Sequence, residues 1–227
     1  MLKIIELDEV DSTNEYCKRN YAGSSFCVIA ERQTGGRGTK GRSFSSVKGG
    51  LYLSVVRRLY KVEATDAFLI MINACTAVCR TVEHYGLKPI IRWANDVLVN
   101  GRKISGTLIE NAFSGSFISR SIVGIGLNIN NELPADLLNI ATTLKVETGR
   151  EIPVKEVRDL LLENMNKKFT LSEYKSYIDW FGKKVTVRTV DGEHSATAVD
   201  IDADGRLICV IAGSLKKISS AEVSLEI

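Results

Sequence analysis

The chain has 227 residues, of which 44% are hydrophobic and 25% are charged, and a formal net charge of +3. This length suits one or two domains with a full hydrophobic core, and the composition excludes a disordered, collagen-like or coiled-coil protein. Five cysteines without a C-x-x-C pair, together with two distant histidines, argue against a structural zinc, a histidine-based triad and a metalloprotease.

The chain begins with a predicted strand, helix and strand. An apolar run at residues 2–7 predicts the first strand, and Ser12 with Glu15 fits a capping box that starts the helix. Residues 26–31 predict a buried strand. Residues 34–50 are rich in glycine and basic side chains and have no apolar period, so we expect a long loop there.

The middle of the chain predicts one core helix and a set of mostly antiparallel strands. Residues 63–85 predict a long helix that is apolar almost all round at 67–72, which is typical of a helix deep in a core. Asn100-Gly101 between two apolar runs predicts a hairpin turn. Strands are predicted at 51–56, 90–93, 97–99, 104–109 and 121–129, and helices at 134–138 and 153–180.

The C-terminal part of the chain changes to short apolar runs separated by turns, as at Asp191-Gly192 and Asp204-Gly205. Such spacing predicts a small β-barrel. We expect a domain boundary near Phe181, which gives domains at residues 1–180 and 181–227. The predicted strands of the second domain are 184–190, 195–201, 206–211, 215–218 and 223–225.

The location of the protein follows from what the sequence lacks. The N-terminal residues show no signal-peptide pattern, and the most apolar run, at residues 67–79, is too short to cross a membrane. We therefore expect a cytoplasmic protein without a membrane span. Its cysteines are expected to be buried thiols in a reducing compartment.

Basic side chains are concentrated between Gln33 and Val62, where no acidic residue occurs. A stretch of this kind favours an anionic partner, phosphate first, although a solvated basic loop would look the same. The basic residues are Arg37, Lys40, Arg42, Lys48, Arg57, Arg58 and Lys61.

Residues 36–43 match the dinucleotide fingerprint G-x-G-x-x-G and nearly match the P-loop, with Arg42 where that motif has Lys. Both motifs need a helix directly after the glycines, and residues 44–50 open a helix poorly, so we reject both. A phosphate-binding loop of another kind remains, with a flexible surface loop as the alternative. Gly124 and Gly126 within a predicted strand indicate either a close approach by a ligand or backbone, or a β-bulge.

Six motifs in order resemble those of biotin protein ligases. Each motif alone is weak, but the ordered set is highly specific. The motifs are Asp11-Ser-Thr-Asn14, Ala30-Glu-Arg-Gln-Thr-Gly-Gly-Arg-Gly38, Gly49-Gly-Leu-Tyr-Leu-Ser54, Trp93-Ala-Asn-Asp-Val97, Arg102-Lys-Ile-Ser-Gly106 and Gly124-Ile-Gly-Leu-Asn128.

The resemblance implies an α+β fold, with a mixed sheet and packed helices similar to class II aminoacyl-tRNA synthetases and a small C-terminal SH3-like β-barrel. It implies a ligase that converts biotin and ATP, with Mg²⁺, into biotinyl-5′-AMP. The biotin is then transferred to a lysine of a biotin carboxyl carrier protein. Because the Asp11 motif lies near the first residue, we expect the short form without a DNA-binding domain, and no DNA binding. The resemblance leaves a homodimer open.

By motif position, the resemblance implies Lys103 and Arg37 as the catalytic cations, because the carboxylate of biotin and the triphosphate repel each other unless cations lie between them. The implied biotin-binding residues are Ser12, Thr13, Asn14, Gln33, Gly36, Arg37, Gly38, Thr39, Lys103 and Gly106. The implied ATP-binding residues are Lys40, Arg42, Phe44, Asn95, Asp96 and Asn128, and Asp96 is also the candidate ligand of Mg²⁺.

Three residues depart from the pattern of the family. Thr39 stands where many members have Arg, and Arg92 and Ala94 replace Lys and Pro. Three other functions stay open: a lipoate–protein ligase that uses the same adenylation chemistry, a non-catalytic biotin or adenylate sensor, and a nucleic-acid-binding module. The basic loop has Phe44 as its single aromatic residue, which makes the last of these the weakest.

Overall fold

A computed structural model describes residues 2–189, 192–219 and 224–226. Its larger sheet has seven strands in the order β1-β2-β3-β7-β6-β5-β4. β1 and β2 are parallel, and every other neighbouring pair in this sheet is antiparallel. The mixed sheet confirms the predicted α+β class. The strands are β1 (Lys3–Val10), β2 (Phe26–Gln33), β3 (Leu51–Glu63), β4 (Pro89–Arg92), β5 (Asp96–Val99), β6 (Arg102–Ser114) and β7 (Phe117–Leu127).

Two helices, α1 (Thr13–Asn20) and α2 (Ala67–Glu83), cover opposite faces of this sheet. Alternate residues of a strand point to opposite faces. Accordingly, Cys27, Val55 and Val123 pack in the large core cluster with α2, whereas their neighbours Val28, Val56 and Ile122 pack with α1. The alternation leaves Gly124 and Gly126 on the α1 face, where the site lies.

The predicted core helix is confirmed as α2, which follows a short 3₁₀ turn at Ala64–Asp66. Among the described residues, the stretch Ala64–Glu83 is the single helix that is long and apolar enough to cross a membrane. Half of its apolar window is buried inside the protein. Cys75 and Cys79 of α2 are fully buried, and the other three cysteines are buried as well. The predicted burial of the thiols is therefore confirmed.

Several local predictions were wrong. Ser12 is the N-cap of α1, but its side chain makes no capping hydrogen bond. The helix predicted at 153–180 is two helices, α4 (Val154–Asn164) and α5 (Leu171–Ser176), because a capping box of Thr170 and Glu173 starts a new helix.

Other boundaries moved because pairing or turn geometry overrides local pattern. β3 runs past the predicted end at residue 56, since Arg57 and Arg58 pair with β7, so these two cations lie on a strand. The helix predicted at 134–138 is a 3₁₀ turn (Ala135–Leu137), and α3 (Leu144–Thr148) was not predicted.

The C-terminal strands form a separate antiparallel sheet in the order β11-β10-β9-β8-β12, as predicted for a small β domain. The predicted strand ends at residues 190 and 223, and the turn residue Asp191, lie outside the described residues. The strands are β8 (Lys184–Thr189), β9 (Gly192–Ile201), β10 (Leu207–Ile211), β11 (Ser214–Ile218) and β12 (Ser224–Glu226).

Hydrogen bonds to the C-terminal β domain and to α5 fix the turn between β4 and β5. Trp93 Nε1 donates to the carbonyl of Gly205 at 3.0 Å, and the Tyr174 hydroxyl donates to the carbonyl of Ala94 at 2.8 Å. Gly205 has φ +81°, and a Cβ there would overlap the Phe68 ring, so glycine suits this contact. The turn is thereby fixed just before Asp96.

Candidate functional site

A cavity of about 960 Å³ opens on the α1 face of the larger sheet. Its lining comes from the start of α1, the 33–45 loop, the β4–β5 turn, β6, β7 and the segment at 133–141. The structure brings all the implied site residues to this lining except Gly36. Gly36 lies behind the wall, where its missing Cβ leaves space for the carbonyl of Phe44 and the Ser46 hydroxyl.

Uncharged hydrogen-bonding groups form one part of the lining. The Gln33 Oε1 accepts from the Thr13 backbone N–H at 2.8 Å, and the Gln33 Nε2 donates to Ser46 Oγ at 2.8 Å. Ser12, Thr13 and Asn14 are all buried. Ser12 lines the cavity, and its side chain makes no capping hydrogen bond. Such groups suit a neutral polar ligand.

Ser54 on β3 holds this part of the lining and was missed as a site residue. Its Oγ lies 2.7 Å from Thr13 Oγ1 and 2.5 Å from Asn14 Oδ1, and Ser54 is fully buried. The signal was available, since Ser54 closes the motif that starts at Gly49. Ser54 therefore anchors the side chains of Thr13 and Asn14 to β3.

The glycines of β7 are explained by side chains that cross the strand. A Cβ on Gly124 would overlap Asn14 Oδ1, and a Cβ on Gly126 would lie 2.5 Å from the Phe44 ring. The β7 register shows no irregularity at these glycines, so the β-bulge alternative is wrong. Both glycines permit a close approach of cavity-lining side chains.

A cationic cluster lies on β4, β5 and β6. Lys103 Nζ is 2.7 Å from Asp96 Oδ1, and Arg92 donates to Asp96 Oδ2 at 2.7 Å. Lys103 also lies over the Phe44 ring, 5.6 Å from its centroid. A Cβ on Gly106 would lie 2.9 Å from Lys103 Nζ, so glycine leaves room for the ammonium group. One carboxylate holds two cations beside the cavity.

The glycine loop supplies further cations. Thr39–Gly41 is a 3₁₀ turn, and a bridge between Arg37 and Ser43 closes the loop on itself. No helix starts directly after Gly41, which agrees with the rejection of both phosphate-binding motifs. Arg37, Lys40 and Arg42 all line the cavity.

Arg37 takes part in a chain of ion pairs that the sequence did not reveal. Its guanidinium pairs with the Glu15 carboxylate, which also lies 2.8 Å from Lys18 Nζ. Lys18 lies 2.7 Å from Glu110, and Glu110 accepts from Asn14 Nδ2 at 2.8 Å. The hydrogen bond from Lys18 and the charge of Arg37 lower the pKa of the Glu15 carboxyl. The loop is thus tied to α1 and β6.

Both polar atoms of the Asn128 side chain form hydrogen bonds within the protein. Its Nδ2 donates to the carbonyl of Thr142 at 3.0 Å, and its Oδ1 accepts from Asn131 Nδ2 at 3.2 Å. Asn128 therefore shapes the wall next to an apolar rim that the sequence did not indicate. The rim residues in the lining are Leu133, Leu137 and Ile140, and Ile140 is 62% exposed.

The oxygen donors for Mg²⁺ are few. Within the described ranges, no three His, Cys, Asp or Glu side chains cluster as a metal site. Asp96 is the carboxylate in the lining, and Mg²⁺ is commonly held by one or two carboxylates together with substrate phosphates. Both Asp96 oxygens pair with cations here, so Asp96 would hold a Mg²⁺ of that kind through the oxygen that Lys103 leaves.

Two family models match the chain. The first, described as the biotin/lipoate A/B protein ligase family, matches residues 7–128, and the second, the biotin protein ligase C-terminal domain, matches residues 181–226. The chain belongs to the biotin/lipoate A/B protein ligase family. The family resemblance of the six motifs is therefore confirmed.

Relatives of the biotin protein ligase type cover nearly the whole chain. The bifunctional ligase/repressor BirA of Bacillus subtilis is 30% identical over 96% of this chain and 72% of its own length. The biotin–[acetyl-CoA-carboxylase] ligase of Paracoccus denitrificans is 27% identical over 96% and 98%. The biotin protein ligase of Aquifex aeolicus, solved with biotin and ATP, has a TM-score of 0.82 at 29% identity, covering 100% of this chain and 99% of that one.

Proposed function

We propose that this protein is an ATP-dependent ligase that activates biotin as biotinyl-5′-AMP and transfers it to a lysine of a biotin carboxyl carrier protein. The observation that carries the proposal is one cavity lined both by uncharged groups (Ser12, Thr13, Gln33) and by cations (Arg37, Lys103). The Aquifex aeolicus relative, solved with biotin and ATP, supports the same two ligands here.

The first step joins an anion to a polyanion. A biotin carboxylate oxygen attacks the α-phosphorus of ATP, a P–O bond forms, and the bond to the β-phosphate breaks to release pyrophosphate. Lys103 and Arg37 offset the charge that builds up on the α-phosphate. Mg²⁺, held by Asp96 and phosphate oxygens, would neutralise charge on the triphosphate.

The second step moves the acyl group. The neutral amine of the acceptor lysine attacks the acyl carbon of the adenylate, the C–O bond to AMP breaks, and the amine loses a proton as the amide forms. No nucleophilic side chain of this protein is needed, which agrees with the burial of its cysteines. The uncharged part of the lining, with Gln33 and Thr13, would hold the ureido ring of biotin.

The deciding experiment has two measurements. Isotope exchange between pyrophosphate and ATP should depend on biotin, and a carrier lysine should gain the mass of biotin when MgATP is present. Lipoate in place of biotin is the control for the other acid of the family. Exchange that depends on lipoate, or biotin binding without exchange, would contradict the proposal.

The setting of the reaction is also part of the proposal. We infer a cytoplasmic ligase with domains at residues 1–180 and 181–227. DNA binding is not expected, since the basic loop residues Arg37, Lys40 and Arg42 line the cavity. Gel shift with duplex DNA tests this point, and light scattering tests whether two copies form a homodimer.

The loop at residues 34–50, which Arg37 ties to Glu15 of α1, should become better protected when the adenylate forms, because its cations would bind the phosphate and its glycines would bring backbone N–H groups close. We expect protease cleavage within residues 36–48 to slow when biotin and ATP are added together. Each ligand alone serves as the control. Equal cleavage rates with and without both ligands would indicate a rigid loop.

With Thr39 in the loop, the adenylate should dissociate faster than it would from a protein with a cationic side chain at that position. Thr39 lines the cavity and offers a neutral hydroxyl, whereas an arginine would bind phosphate by charge-assisted hydrogen bonds. Thr39→Arg should therefore slow release of the adenylate and leave its synthesis largely intact.

The measurement times the loss of labelled adenylate from loaded enzyme after free ligand is removed. Thr39→Gln is the matched control, because it adds length and hydrogen bonding without charge. Equally slow release from the parent and Thr39→Arg would mean that Arg37, Lys40 and the glycine N–H groups already hold the intermediate.

A further inference from the structure

Arg92 occupies a place in the site that the proposed reaction leaves without a role. It is the last residue of β4 and pairs in register with Asp96, the first residue of β5. Its guanidinium donates to Asp96 Oδ2, while Lys103 lies on the other oxygen, both at 2.7 Å. Arg92 therefore shares a carboxylate with the cation on which adenylation depends.

The shared carboxylate poses a problem for Lys103. The Asp96 side chain is only 11% exposed, so water can replace few of its partners. If Lys103 leaves Asp96 to bind the biotin carboxylate and the α-phosphate, Asp96 loses one cation. Without Arg92, and until Mg²⁺ took the oxygen that Lys103 leaves, this poorly exposed carboxylate would have no cation, which is strongly unfavourable and would hold Lys103 in place.

Arg92 removes this obstacle. It binds the oxygen that Lys103 does not use, and Asn95 Nδ2 donates to the Lys103-side oxygen at 3.3 Å. The guanidinium is permanently charged and has several donors in one plane, so it can keep Asp96 compensated alone. Lys103 can then turn to the reactants while Asp96 stays paired.

We propose that Arg92 is a positioning residue for adenylation, which keeps Asp96 paired while Lys103 moves to the reacting groups. This inference rests on the proposed function of the site. Arg92 acts through Asp96 and Lys103 and need not touch biotin or ATP. Its loss should therefore slow the chemical step more than it weakens ligand binding.

The test compares Arg92→Met with Arg92→Lys in biotin-dependent pyrophosphate exchange. Arg92→Met should lower kcat by about tenfold or more, with the KM values for biotin and ATP changed by less than about threefold. Arg92→Lys should retain most of the parent kcat, because it keeps the charge next to Asp96. Circular dichroism and the unfolding midpoint check folding, and Arg92→Gln replaces Arg92→Met if the latter does not fold.

A second comparison separates this role from general packing. In an Asp96→Asn background the carboxylate is gone, so Arg92→Met should reduce kcat clearly less than it does in the parent. Four results would overturn the proposal: an unchanged kcat in Arg92→Met, a loss confined to the KM for ATP, a loss of the same size in Arg92→Lys, or an equal loss in the Asp96→Asn background. A parent protein without biotin-dependent exchange would instead refute the proposed function, so the two failures are distinguishable.

Discussion

Lys103→Ala is expected to lower the rate of biotin adenylation by roughly a hundredfold or more, the effect of removing one donor that stabilises charge in a transition state. The ammonium group lies at the cavity, 2.7 Å from Asp96 and beside Gly106. Asp96 keeps Arg92 and Asn95 as partners in the variant, so the protein should remain folded. The measurement is biotin-dependent pyrophosphate exchange, with circular dichroism as a check of folding.

Lys145→Ala is the matched control for Lys103→Ala. Lys145 forms an ion pair of the same length, 2.7 Å, with Glu151, but both side chains are largely exposed and neither lines the cavity. Exposed pairs contribute little to stability, so this variant should keep its activity. Exchange in Lys103→Ala that equals that of Lys145→Ala would remove Lys103 from the mechanism.

Gly124→Ala is expected to damage both stability and biotin binding. A Cβ there would overlap Asn14 Oδ1, and Asn14 is buried and bonded to Ser54 and Glu110. Overpacking of this kind costs about 1–3 kcal/mol, which lowers the unfolding midpoint by roughly 2–12 °C in a chain of this size. Displacement of Asn14 should also raise the KM for biotin by about tenfold or more.

The control for Gly124→Ala is the same substitution in an Asn14→Ala background. With the side chain of Asn14 shortened, the new methyl group at position 124 has space, and its added cost should fall well below that in the parent. Calorimetry and the KM for biotin measure the two effects. An equal loss of stability in both backgrounds would show that Asn14 is not what makes glycine necessary here.

Local sequence signals predicted the parts of the fold in which pattern and packing agree. The apolar surface of α2 and the Asn100-Gly101 turn between β5 and β6 each had a single reasonable outcome in a layered sheet. The capping box at Ser12 and Glu15 was not found; Glu15 pairs with Lys18 in the next turn of α1 and with Arg37, which is 22 residues away and outside the reach of a local rule. β3 exceeded its prediction because pairing with β7 continues through polar residues.

The site was predictable to the extent that its residues stand in motifs. The ordered motifs identified Gln33, Arg37 and Lys103 as site residues, and the fold places all three in the lining of one cavity. The pairing of Lys103 with Asp96 was not predictable, because a register shift between β5 and β6 determines which side chains meet. The apolar rim with Ile140 gave no signal either, since it belongs to an irregular segment.

Buried cysteines on the helices that cover the two faces of the larger sheet can report when either helix layer separates from the sheet. Burial raises the pKa of the Cys17 thiol, on the inner side of α1, and of the Cys75 thiol, on the inner side of α2, to about 12 in each case. At neutral pH neither group is a thiolate, so alkylating reagents should leave the native protein untouched. Each thiol becomes reactive only when its own layer separates from the sheet. The order in which the two are labelled under mild denaturant would therefore tell whether the α1 layer, which carries the uncharged part of the cavity lining, opens before the α2 layer.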